Sequence, residues 1–133
     1  MANASTTGFG FRPIKMIGQA SNDAGLSEYK IAASSALISH AAMVQLTSDG
    51  VLESANNTEA NLGVLNGIFF TDADTNKPTF ANFSKASNTA TDIVAFVNDD
   101  PRQMFEVMSA DTAFNQNEVG HCADQVKADG VSP

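Results

Sequence analysis

Apolar and polar residues in this chain alternate in short bursts set between turn-forming residues, a pattern that predicts strands rather than helices. The strongest burst is Ile93-Val94-Ala95-Phe96-Val97, rich in the β-branched and aromatic residues that fit a buried strand. Asn98-Asp99-Asp100-Pro101 ends it, because proline fixes its own φ and Asn and Asp side chains bond to nearby backbone. A second strand is predicted where Met104, Glu106 and Met108 alternate with Phe105 and Val107. After a turn at Ser109-Ala110-Asp111-Thr112 and the polar Asn115-Gln116-Asn117, a third short run centres on Val119. Connections this short cannot hold a crossover helix, so the three runs predict an antiparallel meander.

Upstream, the same logic predicts a strand over Ile14-Lys15-Met16-Ile17 ended by Gly18, and another over Glu28 to Ile31. Ala33, Ala36, Leu37, Ala41 and Val44 could share a helical face, but Ser34-Ser35 and Ser39-His40 interrupt it without a cap. Residues 32–42 are therefore read as loop and short strand. Met43-Val44-Gln45-Leu46 and Val51-Leu52-Glu53-Ser54 flank Ser48-Asp49-Gly50, a hairpin signature. A further turn is placed over Asn56 to Glu59. Leu62 to Phe70 is the longest apolar stretch, and Gly63 and Gly67 inside it mark a bulge, a bend or a close backbone approach. A polar loop over Thr71 to Pro78 leads to a short strand from Thr79 to Phe83, then a loop from Ser84 to Thr89.

These elements amount to about eight or nine strands with turns roughly every ten residues, the spacing of a sandwich or barrel. The fold expected is all-β, a small β-barrel or β-tulip-like single domain. Residues 1–20 form an extended N-terminal arm and first strand. Residues 21–133 form the body, whose tail from Lys127 to Pro133 is expected to fray.

A length of 133 residues suffices for one core without staples, and the lone Cys122 rules out an internal disulfide. Nine phenylalanines, one tyrosine and no tryptophan suggest an aromatic core rather than an aromatic ligand platform. A net charge of −8 argues against nucleic acid, whose phosphates call for a basic face. The charge is uneven: residues 1–22 carry +2 from Arg12 and Lys15, so residues 23–133 carry −10. No apolar run approaches the ~20 residues that cross a bilayer, so no membrane partner is expected. The N-terminus lacks the basic and apolar segments of a secretory signal, and synthesis and use without Sec export are expected.

Candidate chemistry is sparse. Asp72, Asp74 and Asn76 have the spacing of the first three ligands of a calcium loop, but Lys77 and Phe83 stand where glycine and glutamate belong, so an Asx-rich turn is favoured. His121 and Cys122 are adjacent and, in a strand, would face opposite ways, which favours Cys122 as a small core residue with His121 half exposed. Asp99-Asp100 before Pro101 reads as turn chemistry. No cofactor, metal or catalytic site is expected. Phe9-Gly10-Phe11-Arg12-Pro13 has two readings: the edge of the first strand, or an arm placing Phe9 and Phe11 in grooves of a partner with Arg12 against a carboxylate.

Three stretches together carry a resemblance. Tyr29-Lys30-Ile31-Ala32, the hairpin from Met43 to Ser54, and Leu62-Gly63-Val64-Leu65-Asn66-Gly67-Ile68 resemble the head decoration, or capsid cement, proteins of tailed phages. Ala95 to Val107, with Val119-Gly120 and Ala123-Asp124, resembles structural proteins of marine tailed phages. The likeness covers residues 9–126, and it departs at Ala41-Ala42, where such proteins often carry Gly-Asp. It implies a β-barrel or β-tulip domain on the outer surface of the capsid, a homo-oligomer, as a trimer near local threefold axes, made in the host cytoplasm. Its partner would be the major capsid protein, which it would clamp without catalysis, with Phe9, Phe11 and Arg12 docking. Two other classes stay open: a β-sandwich adhesive or carbohydrate-binding module of a tail or fibre, and a small hydrolase with a fold-assembled site.

Overall fold

The computed structural model describes residues 9–18, 25–56, 60–109 and 115–123. Within them lie eight strands: β1 (Arg12–Met16), β2 (Ser27–Lys30), β3 (Met43–Leu46), β4 (Leu52–Ser54), β5 (Gly63–Thr71), β6 (Pro78–Ala81), β7 (Val94–Asn98) and β8 (Gln103–Glu106). Among the described residues all pairings are antiparallel, and the one helical element is a single 3-10 turn, Gln116–Glu118. The chain is all-β as expected. Its strands form two open sheets, and no closed barrel is present among the described residues.

The nine residues of β5 are the spine. One of its edges is shared by β3 near its start and β6 near its end, and the other pairs with β7 from Val64 to Phe69. β2 lies outside β7, and β4 outside β3. Both glycines in β5 do what their positions predicted. Gly67 follows a register shift opposite β7, the mark of a bulge. At Gly63 the backbones approach so closely that a Cβ would overlap the Asn98 carbonyl oxygen and stand 2.9 Å from Asp99 Cα.

One face of this sheet holds the core, which is mainly aliphatic: Val44, Leu52, Leu65, Ile68, Phe70, Ala95 and Val97 from strands, with Ile31, Ile38, Ala90 and Ile93 from loops. Each fully buried Val, Leu or Ile contributes roughly 1.5–3 kcal/mol. The loops leading into β3 and β7 are tied to each other by reciprocal Ile38–Ser84 backbone bonds of 2.9 Å, and Ser34 donates to Asn88 at 2.7 Å. Residues 32–42 thus form a loop with one bridge, as read from the sequence. Ala41 within it takes φ 55°, the left-handed region that favours glycine.

Four expectations are corrected. The meander fails because both edges of β7 are filled, by β2 and β5, so β8 crosses to β1 and forms a separate two-stranded ribbon. Val119 follows the 3-10 turn, 72% exposed, and belongs to no strand. Cys122 is exposed rather than in the core, and His121 beside it is exposed too. The aromatic core is not found either: Phe70 is the one buried phenylalanine among the described residues, and Phe9, Phe69 and Phe80 are exposed. Thr58, Ala110 to Thr112 and the 127–133 tail lie outside the described residues.

Candidate docking surface

Most residues of the β1–β8 ribbon are exposed. Its pairing sets Pro13, itself exposed, opposite Phe105, and Met16 opposite Gln103. Met16 and Gln103 are buried, and Phe105 is half-buried. Ile14 falls at a register irregularity between Pro13 and Lys15. Ile14, Ile17, Met104, Val107 and Met108 are exposed, so an apolar outer surface remains on a two-stranded element. Isolated ribbons of this size are marginal in water, which makes the tie to the main sheet decisive.

That tie centres on Gln103, whose side chain knits the two ribbon strands together and meets Asn98 of the main sheet in one buried bond. Gln103 Nε2 donates to the carbonyl oxygens of Lys15 (3.1 Å) and Met104 (2.9 Å), and Asn98 Nδ2, at the end of β7, donates to Gln103 Oε1 at 3.4 Å. Phe11 N–H adds a bond to the Ala41 carbonyl at 2.8 Å. The ribbon therefore sits where β7 hands the chain over, in a turn that Asp100 organises. Asp100 accepts Arg102 N–H at 2.8 Å through its carboxylate and Gln103 N–H at 3.0 Å through its carbonyl. The Arg102 backbone bond holds the Asp100 carboxyl below its ordinary pKa.

Phe9, Phe11 and Arg12 are brought together at the start of this ribbon. The Arg12 guanidinium lies 4.6 Å over the Phe9 ring, and Arg12 Nη2 is 3.5 Å from Glu106 Oε2. Phe11 meets Phe105 edge to face, with ring centroids 6.2 Å apart. Phe11 and Arg12 therefore have partners within the chain, which is the first-strand reading of that motif, while Phe9 stays 39% exposed.

Asp99 and Asp100 differ in role. Asp100 makes the turn, but Asp99 receives the hydroxyls of Ser27 (2.9 Å) and Tyr29 (2.7 Å) from β2. That hydrogen bond to Asp99, ahead of burial and the carboxylate charge, raises the Tyr29 pKa above its ordinary 10.0. The calcium-like triplet is an Asx turn. Asp72 Oδ1 accepts Asp74 N–H, Thr75 N–H and the Thr75 hydroxyl at 3.0, 3.0 and 3.2 Å, and Asn76 at φ 53° closes the β5–β6 hairpin.

A second surface was not read from the sequence. On the outer face of the main sheet Phe80 stacks on Phe96 at 5.8 Å, with Phe69 exposed as the cross-strand partner of Phe80. Gly67 lies on β5 between the strands that carry the two rings, and a Cβ there would stand 3.2 Å from Phe80. The signal was present in the alternation of Ile68-Phe69-Phe70, which must send one phenylalanine outward.

Among the described residues no three His, Cys, Asp or Glu side chains are grouped to hold a metal, and no helix is long and apolar enough to cross a membrane. No family model, curated protein or solved structure matches the chain.

Proposed function

We propose that this chain is a virion structural protein that binds the outside of a tailed-phage capsid, with the major capsid protein as partner, and stabilises the shell without catalysis. The observation that carries the reading is the β1–β8 ribbon, whose apolar side chains face outward from a strand-built body. Open strand edges and unburied apolar groups suit addition to another protein's surface. Repetition over a shell lets each contact be modest, since many weak contacts act together. In this reading the body is the β-tulip-like domain that the resemblance implies, and the copies sit as trimers.

Phe9, Phe11 and Arg12 then dock the ribbon's leading end, with Phe9 and the open side of the Arg12 guanidinium meeting the shell. The test is occupancy on expanded heads, measured for the full chain, for a chain lacking residues 1–12, and for Phe9→Ala with Arg12→Ala. The last variant leaves the Phe11–Phe105 contact in place and so separates docking from folding. Reduced occupancy in both supports the reading, and unchanged occupancy overturns it.

The exposed Phe80–Phe96 stack favours one other class, a carbohydrate-binding or adhesive module of a tail or fibre, because sugar rings stack on flat aromatic faces. Those rings carry no polar group to orient a sugar, which weighs against it. Glycan binding lost in Phe80→Ala would transfer the assignment to that class.

A further inference from the structure

Among the described residues the main sheet ends in an open edge at β2, whose one strand partner is β7. The ladder fixes which backbone groups of β2 are free. Ile31 N–H donates to the Ile93 carbonyl, and the register runs Ser27 opposite Val97 to Lys30 opposite Val94. In an antiparallel ladder the bonded residues alternate, so residues 27, 29 and 31 bond to β7. The N–H and C=O groups of Glu28 and Lys30 point the other way, out of the sheet's edge. Those two residues also carry exposed and opposite charges, and among the described residues neither is in an ion pair.

We propose that β2 is a self-docking edge, on which a second copy of this chain adds its own β2 antiparallel across a twofold axis at Tyr29. The register follows from the charges. Only Glu28 and Lys30 offer free backbone groups, so three registers satisfy the ladder. One sets Glu28 opposite Glu28, one sets Lys30 opposite Lys30, and the third sets each Glu28 opposite Lys30 of the second copy. Like charges directly opposite destabilise a pair and opposite charges stabilise it. The third register has no like-charge pair and two reciprocal opposite-charge pairs, and its Tyr29–Tyr29 position is a non-bonded one, as ladder alternation demands. A hydrophobic edge would invite any strand, whereas Glu28-Tyr29-Lys30 reads the same way from both sides of the axis and selects its own copy. The contact goes beyond the shell reading and does not depend on it. On a shell it would join neighbouring copies through their edges.

The experiment uses the full chain in solution without capsids, so its outcome is separate from that of the occupancy test. Sedimentation velocity over a concentration series compares the natural chain, Glu28→Lys, Lys30→Glu and the double exchange Glu28→Lys/Lys30→Glu, with folding checked by circular dichroism. The natural chain is expected to show concentration-dependent doubling of mass that weakens as salt rises. Each single variant makes both cross-strand pairs like-charged and weakens association at least about tenfold. The double exchange restores it, and so does mixing the two single variants in equal amounts, because the mixture again offers opposite charges at both positions. Absence of association in the natural chain, equal association in all four, or failure of both restorations overturns the proposal.

Discussion

Gly63 is the position at which a single methyl group should do most damage. Its backbone is packed against the end of β7: a Cβ would overlap the Asn98 carbonyl oxygen and lie 2.9 Å from both Asp99 Cα and Val97 Cγ1. Two of these three obstacles are main chain, which cannot rotate away as a side chain can. Overpacking in a tight interior costs about 1–3 kcal/mol, and a clash relieved only by parting two strands belongs at the top of that range, about 3 kcal/mol for Gly63→Ala. For a chain of this size that corresponds to a fall in Tm of about 10 °C. Gly67 is the internal control. A Cβ there meets the Ala81 carbonyl oxygen at 3.1 Å and the Phe80 ring at 3.2 Å. These contacts are tight without overlapping and need give only slightly, so Gly67→Ala should cost about 1 kcal/mol. Urea unfolding with the slope held common gives both values. The Gly63 variant should also lose hydrogen-exchange protection first in β1 and β8, because the displaced Asn98 is the residue that bonds Gln103. If Gly63→Ala is no less stable than Gly67→Ala, the close approach of β5 to β7 is not what holds this end of the sheet.

Four further outcomes follow from local geometry. A tyrosine whose folded pKa is raised contributes stability that is full below its unfolded value and is lost as pH rises through the folded value. The natural chain should therefore lose stability above pH 10 relative to Tyr29→Phe, the difference being read by urea unfolding at pH 8 and pH 11. Asp72 has the opposite sign: Thr75 and Asp74 N–H groups lower its pKa, so its contribution is present above the usual carboxylate value and fades as pH falls through the lowered one, an acid sensitivity that Asp72→Ala should lack. Because Asp72 Oδ1 is already engaged by three donors, millimolar calcium should move Tm by less than about 1 °C. Ala41→Gly should stabilise by up to about 1 kcal/mol, since φ 55° strains alanine by about as much and glycine not at all; a lower Tm in this variant would contradict that account.

The strands themselves were legible because alternation and turn chemistry are local. Met43 to Leu46 is read to the residue, and Gly50 at φ 74° makes the turn that Ser48-Asp49-Gly50 announces. Gly63 and Gly67 announced crowding inside β5, and both have it. What failed was non-local. Sequence adjacency suggested that β8 returns along β7, and nothing in either strand reveals that β2, some 60 residues upstream, already holds that edge. Counting phenylalanines likewise says how many rings exist but not which way each faces. Phe69 and Phe70 are neighbours with opposite fates, 41% and 6% exposed, because a strand must alternate.

The candidate surfaces divide along the same line. Phe9, Phe11 and Arg12 were visible as a cluster because they are consecutive, whereas Phe105 and Glu106, which receive Phe11 and Arg12, lie more than ninety residues away. Glu28-Tyr29-Lys30 shows the stronger dependence on topology. In a central strand the outward backbone groups of Glu28 and Lys30 would already be bonded to a neighbour, and their charges would merely decorate one face. At the end of the sheet order the same three residues present free groups and opposite charges at matched spacing, so the position of β2 turns an ordinary polar strand into a register code.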